Sequence, residues 1–419
     1  MKRRNFTKLA IGLSLGASLM GTSAMAQDNM RIALVVKALG IGFFEAAHKG
    51  AEEAAAELGN VEIIYTGPTD TTAEGQIEVI NSLIAQGVDA IAVSANDTDA
   101  LVPTLKKAQQ RGITVISWDS GVAEEGRQVH LNPSSNALIG NMIIKLAADH
   151  LPDGGQVALL SATTTSTNQN IWIEEMTKVM GNYPGIEVVS TVYGDDLADK
   201  SYREAQGLMQ SYPDLDAIIA PTSVGIVAAA QAVEDAGKIG EVNVTGLGLP
   251  SEMAGAIESG ASKSFAIWNP IDLGYSATMI AHALASGDAT AEPGAEISIG
   301  RMGTITLDET NKYAQLRVYP VLFPGGRPPA NPNPATTIRF RRISNDKEYE
   351  VFWRNILRYE PFDVLLLKEA ERLRDEKIVD EAEAKRLRER KNLDESFEYY
   401  LVLQTSYPSV PELTRSINQ

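Results

Sequence analysis

The sequence predicts an α/β protein built as two doubly wound lobes, each a parallel sheet covered by helices on both faces. Three observations carry that prediction. From residue 31 onward, short Val/Ile/Leu/Ala runs alternate with segments of helical periodicity. The runs are apolar throughout rather than apolar on alternate residues, as strands buried on both faces are. The alternation also repeats as five units and then five more, which suits two similar lobes.

The elements follow in order. The first strand, 31–37, ends at Lys37, and after a glycine-bearing turn Phe43 and Phe44 open the helix 43–58. Strand 61–65 leads to helix 73–86, strand 89–94 to helix 98–111, and strands 113–118 and 128–131 precede helix 135–151. The second series pairs strand 156–161 with helix 168–182, 186–192 with 199–211, 216–220 with 224–237, 242–247 with 250–259, and 263–268 with 272–286.

Residues 1–26 read as an export signal outside the fold. Lys2, Arg3, Arg4 and Lys8 are followed by an apolar stretch from Leu9 to Met20 and a small-residue cleavage site at Ala24-Met25-Ala26. That stretch is too short to span a bilayer. The Arg3-Arg4 pair leaves both the general and the twin-arginine export routes open. The chain of 419 residues has no cysteine, which excludes disulfides, thiolate metal sites and a cysteine nucleophile. Its net charge of −17 is unevenly placed: residues 28–311 carry −23 and residues 312–419 carry +2. The acidic body argues against nucleic acid or an anionic membrane surface as a partner.

Catalysis finds little support. The four histidines, His48, His130, His150 and His282, lack a second ligand at helical spacing, so no zinc site is expected. No nucleophile elbow or phosphate-binding loop is present, and no cofactor or metal is expected. Gly246-Leu247-Gly248 lacks the third glycine of a dinucleotide fingerprint. Asp195, Asp196 and Asp199 lack the spacing of a calcium-binding hand and read as a solvated turn and helix cap.

Polar and aromatic residues instead collect at the carboxyl ends of strands, where open α/β sheets bind ligands. Lys37, Phe43 and Phe44 follow the first strand. Asn96-Asp97, Asp119, Asn168-Gln169, Pro221-Thr222-Ser223 and Trp268-Asn269 follow later ones. Helix capping alone would account for Asp97, Asn168 or Asp272, and core packing for Trp172 or Trp268. A cleft shared by two lobes accounts for the whole set at once. A lysine that hydrogen-bonds oxygen, beside aromatic faces that stack on C–H groups, suits a small polar ligand such as a sugar.

Residues 30–311 resemble the type I, ribose-binding-like solute receptors of ABC importers, in the branch holding rhamnose-binding and autoinducer-2-binding receptors. The resemblance lies in Val36-Lys37-Ala38-Leu39-Gly40-Ile41-Gly42-Phe43-Phe44, Gly67-Pro68-Thr69, Ile77-Glu78-Val79-Ile80-Asn81, Trp118-Asp119-Ser120, Asn168-Gln169-Asn170-Ile171-Trp172 and Ile218-Ile219-Ala220-Pro221. It implies a periplasmic, monomeric, non-enzymatic receptor that closes about a hinge of three crossings and delivers its ligand to an inner-membrane permease. Lobe 1 would be 28–121 with 250–290, and lobe 2 would be 122–249 with 291–311. By the resemblance, Lys37 and Asp119 hydrogen-bond ligand hydroxyls, while Asn168, Gln169, Pro221 and Ser223 line the other lobe's wall. Asn168 replaces the aspartate of autoinducer-2 receptors, Asp97 matches a sugar-binding aspartate of pentose receptors, and Gly248 replaces another. Rhamnose fits that combination best, its methyl group lying against Phe43, Phe44 or Trp268; the alternative is an autoinducer-2 receptor.

The resemblance ends near Lys312. Residues 324–334 read as a proline-rich linker and 335–419 as an extension of unknown function. Within it, Thr336 to Arg342 is strand-like, 346–358 and 361–391 read as helices, and 397–403 as a helix end or a strand. Such an α-rich tail is either an appended interaction module or foreign sequence replacing the receptor's own end. The abrupt change of composition inside the last lobe favours the second.

Overall fold

The computed structural model describes residues 29–308 together with the strand segments 313–315, 321–324, 337–342, 347–352 and 399–402. The export signal at 1–26, the linker beyond Pro324 and the helix expected at 361–391 lie outside the described residues.

Two parallel sheets form the body. The first contains β1 (Met30–Val35), β2 (Val61–Thr66), β3 (Ala90–Val93), β4 (Thr114–Trp118) and β5 (Val129–Asn132), separated by α1 (Gly42–Leu58), α2 (Ala73–Gln86) and α3 (Val102–Gln110). After the antiparallel pair β11 (Glu296–Ser298) and β12 (Thr304–Thr306), β13 (Tyr313–Gln315) joins this sheet, which is ordered β13-β5-β4-β3-β1-β2. The second contains β6 (Gly155–Ser161), β7 (Ile186–Tyr193), β8 (Leu215–Ala220) and β9 (Asn243–Gly246), ordered β7-β6-β8-β9. Its helices are α4 (Asn136–Ala148), α5 (Thr167–Val179), α6 (Ala198–Ser211), α7 (Ser223–Asp235) and α8 (Pro250–Ser259). Every pairing within these two sheets is parallel.

Strand pleating explains the all-apolar runs. In β1, Ala33 and Val35 pack with Ile80, Leu83 and Leu105 on one face of the sheet. Ile32 and Leu34 pack with Ala47, Leu273 and Ala277 on the other. That second face is covered by α1 and α9 (Pro270–Ser286), whose backbones touch. A Cβ at Gly50 would meet the Ile271 carbonyl oxygen at 1.8 Å, and one at Gly274 would meet that of Ala47 at 1.9 Å.

The lobe boundaries differ from those expected. The turn at residue 121 is not a crossing, because β5 pairs with β4 through Ile116↔Val129 and Trp118↔Leu131 and so stays in the first lobe. Residue 249 is not one either. Met253 of α8 and Phe265 of β10 (Ser264–Ile267) belong to the second lobe's core with Leu160 and Ile218. β10 also joins β9 through the Leu247↔Ala266 bridge. The chain therefore crosses between β5 and α4, between β10 and α9, and between β13 and β14 (Val321–Pro324), which pairs antiparallel with β10.

In the extension, β15 (Thr337–Arg342) falls on the strand-like segment. β16 (Lys347–Phe352) is a strand where a helix was expected. The two strands pair antiparallel, with Arg339 in register with Glu350 and Arg341 with Glu348. β17 (Tyr399–Val402) resolves the last segment as a strand.

Candidate functional site

The carboxyl ends of both sheets face one cleft. It is lined by Lys37, Phe43, Phe44 and Asp119 from the first lobe and by Asn168, Gln169, Asp196, Pro221, Thr222 and Ser223 from the second. Trp268 closes it at the β10–α9 crossing. The cleft holds about 420 Å³ of non-atom space, counting what opens toward solvent.

Lys37 follows β1 and is only 3% exposed. Its ammonium crosses to the second lobe, donating to Asn168 Oδ1 at 3.0 Å and Ser166 Oγ at 3.2 Å. Asn168 Nδ2 in turn donates to Asp119 Oδ1 at 3.1 Å, and Ser94 Oγ donates to Oδ2 at 2.8 Å. A polar relay of lysine, asparagine and aspartate thus spans the lobes. Asp119 is placed by a left-handed backbone, φ 58°, directly after β4. Aspartate tolerates that conformation better than a branched residue would. Gln169 is fixed by bonds from Ser161 Oγ and the Ala162 N–H, each 2.7 Å from its Oε1.

The second carboxylate, Asp196, also has a left-handed backbone, φ 50°, and accepts a hydrogen bond from the Thr222 hydroxyl. Thr222 also caps α7 by accepting the Gly225 N–H at 3.2 Å. Burial pushes the Asp119 carboxyl above the usual carboxylate range. Lys37 and the bonds from Ser94 and Asn168 oppose this, and the Asp196 charge adds to it. Asp196 is pushed up in the same way, with Lys37 again opposing. Two carboxylates share one lysine, which leaves the cleft rich in acceptors.

The apolar wall is a chain of edge-to-face rings. Phe43 meets Phe44 at 5.3 Å and Trp268 at 6.1 Å, Phe44 meets Trp118 at 5.8 Å, and Trp172 meets Trp268 at 5.4 Å. Among the described residues, the indole N–H groups of Trp118 and Trp268 are buried without a hydrogen-bond partner. Trp268 therefore offers a donor as well as an apolar face.

The rims of the cleft meet directly. Thr71 Oγ1 donates to the Asp195 carbonyl at 2.6 Å, Thr165 Oγ1 to that of Asn96 at 2.9 Å, and the Thr98 and Thr167 hydroxyls are 2.9 Å apart. The lobes are closed on each other.

Of the residues expected at the site, all but two line this cleft. Asp97 does not: its Oδ1 accepts the N–H groups of Asp99 and Ala100, both at 2.8 Å, and it serves as the cap of that turn. Asn269 caps α9 through the Ile271 N–H at 3.0 Å and donates to Asp272 Oδ2 at 2.8 Å. Conversely, Asp196, read from the sequence as a solvated turn, lines the cleft, as do Trp172, Ile41, Leu247 and Ile267. The position of Asp195-Asp196 just beyond β7 was the available signal.

Comparison with known proteins matches residues 32–289 to the periplasmic binding protein domain. The chain belongs to that family. Among curated periplasmic binding relatives, the D-ribose/D-allose-binding protein of Pseudomonas aeruginosa is 29% identical over 247 residues, 57% of this chain and 77% of that one. The D-allose-binding periplasmic protein of Escherichia coli is 25% identical over 277 residues, 64% of this chain and 86% of that one. Among solved structures, an ABC transporter solute-binding protein from Clostridium phytofermentas with bound L-rhamnose is 33% identical. It has a TM-score of 0.68 and covers 71% of this chain and 96% of its own. LsrB from Clostridium saccharobutylicum in complex with AI-2 is 25% identical, with a TM-score of 0.66 over 70% of this chain and 97% of that one. The fold is that of a type I periplasmic binding protein.

Proposed function

We propose that this protein is the sugar receptor of an ABC importer, exported to the periplasm, and that it binds a 6-deoxyhexose such as L-rhamnose between its lobes. The observation that carries the reading is the relay from Lys37 through Asn168 to Asp119. It joins the two lobes through groups that sugar hydroxyls can replace one for one. A ring placed there would give hydroxyl protons to Asp119 and Asp196, accept from Lys37 and the Trp268 indole, and lay a methyl group against Phe43 and Phe44. The similarity to the rhamnose-bound structure supports that choice.

Binding works by population shift. A ligand that touches both lobes binds the closed form more tightly than the open one and moves the equilibrium by that difference. The closed receptor is the form expected to dock on an inner-membrane permease and release its cargo there. No step breaks a covalent bond.

A thermal-shift screen of L-rhamnose, D-ribose, D-arabinose and autoinducer-2 tests the reading, because a tight ligand raises the melting temperature by mass action. Rhamnose should give the largest rise. A larger rise with autoinducer-2 would transfer the assignment to the furanose. No shift with any of them would remove it.

A further inference from the structure

Beside the cleft lies a second interlobe chamber with about 670 Å³ of non-atom space, against about 420 Å³ for the cleft itself, each counting what opens toward solvent. Asp119 and Asn168 line both spaces. The first lobe contributes Arg127, His130 and Asn132 to the chamber, and the second contributes Asn136, Thr167 and Ile171. The Thr98–Thr167 contact at 2.9 Å closes it between the lobes.

We infer that this chamber is a second subsite, so that the receptor takes a sugar carrying a further uncharged, hydroxyl-bearing unit, such as a disaccharide. The inference rests on the reading of the cleft as a sugar site. Asp119 and Asn168, which line both spaces, are joined by a side-chain bond, Asn168 Nδ2 to Asp119 Oδ1, 3.1 Å long. A sugar hydroxyl that binds Asp119 takes the place of that bond.

The chamber's chemistry selects the occupant. Its walls carry the amides of Asn132, Asn136 and Asn168 and the hydroxyls of Thr98 and Thr167, which can both give and accept hydrogen bonds, between the apolar Val122, Ala123 and Ile171. His130 bonds Ser117 Oγ at 2.9 Å and Asn132 Oδ1 at 3.0 Å. Burial and the Arg127 charge push its pKa down to about 3, so the ring carries no charge at neutral pH. An anionic unit would face Asp119 and Glu124, and a cationic one would face Arg127. An uncharged polyhydroxyl unit avoids both conflicts. Because the walls come from both lobes, such a unit also favours closure.

Calorimetry on the full chain with L-rhamnose and the α-linked dirhamnoses tests this. At least one dirhamnose should bind as tightly as rhamnose or better. Ala123→Trp, which fills the chamber from the first lobe, should weaken that dirhamnose about tenfold or more while leaving rhamnose within about twofold. Ile171→Trp should do the same from the second lobe, and retained rhamnose binding in either variant reports an intact fold. If rhamnose binds and every dirhamnose is rejected, or if the filled chamber weakens neither, the subsite is overturned while the sugar receptor stands. If a dirhamnose binds and rhamnose does not, the subsite stands and the monosaccharide reading falls. If neither binds, both fall.

Discussion

Asp119 is where the chemistry concentrates. It is 5% exposed, bonded to both lobes and opposed by a second carboxylate across the cleft. Hydrogen bonds to charged groups are worth about 1.5–3 kcal/mol, so Asp119→Ala should cost roughly 10- to 150-fold in sugar affinity. The raised carboxyls also affect stability without sugar. The folded chain holds protons at Asp119 and Asp196 that the unfolded chain releases near about pH 4, so their favourable contribution is lost as pH rises through the raised values. Asp196→Asn should therefore raise the melting temperature of the sugar-free protein at pH 7, and an unchanged or lower value would count against a destabilising carboxylate. At this scale the residues near strand ends, Lys37 and Asp119 among them, line the cleft as the sequence reading placed them. That reading misled at Asp97 and Asn269, because helix caps and sugar ligands use the same residue types at the same strand-end positions. Asp196 was passed over because aspartates in a turn are ordinarily solvated.

At the scale of elements, the α1–α9 contact holds the returning helix on the first lobe. Its two glycines allow backbone to touch backbone. Gly274→Ala should cost about 1–3 kcal/mol by overpacking, measured by urea denaturation. The end of the body is fastened to this helix pair. Arg301 lies 4.0 Å over the Tyr275 ring and pairs with Glu53 at 2.7 Å and Asp272 at 3.1 Å. His130 on β5 makes a pH-dependent contribution. With its pKa down to about 3 against about 6.5 unfolded, the unfolded chain binds a proton the folded one refuses. Its share of stability should fall by roughly 2 kcal/mol from pH 7 to pH 5, read as a narrowing difference from His130→Gln over that range. Strand and helix positions were legible because the two periods differ so clearly. Lobe membership was not, since nothing in residues 128–131 or 263–268 states which sheet they join, and only pairing decides it. The extension shows the same limit: 346–358 reads as a helix, yet 347–352 pairs as a strand with 337–342.

On the proposed function, the molecule as a whole works by closing one lobe on the other. The rim contacts Thr71–Asp195, Thr165–Asn96 and Thr98–Thr167 belong to the closed form, and a ligand adds to them. Thr71→Val removes a hydroxyl bond worth about 0.5–1.5 kcal/mol, so sugar should bind roughly 2- to 10-fold more weakly with an unchanged stoichiometry. Small-angle scattering should show the sugar-free variant more open than the wild type. Such contacts were not legible in the sequence, because Thr71 and Asp195 are 124 residues apart and neither stands in a recognisable motif.

The most direct test is isothermal titration of L-rhamnose into the full-length protein and into Asp119→Ala. A saturable heat from the wild type that weakens at least about tenfold in the variant is the expected result. Equal affinity in the two proteins, or no wild-type binding of rhamnose, would contradict the placement of the sugar against Asp119 between the lobes.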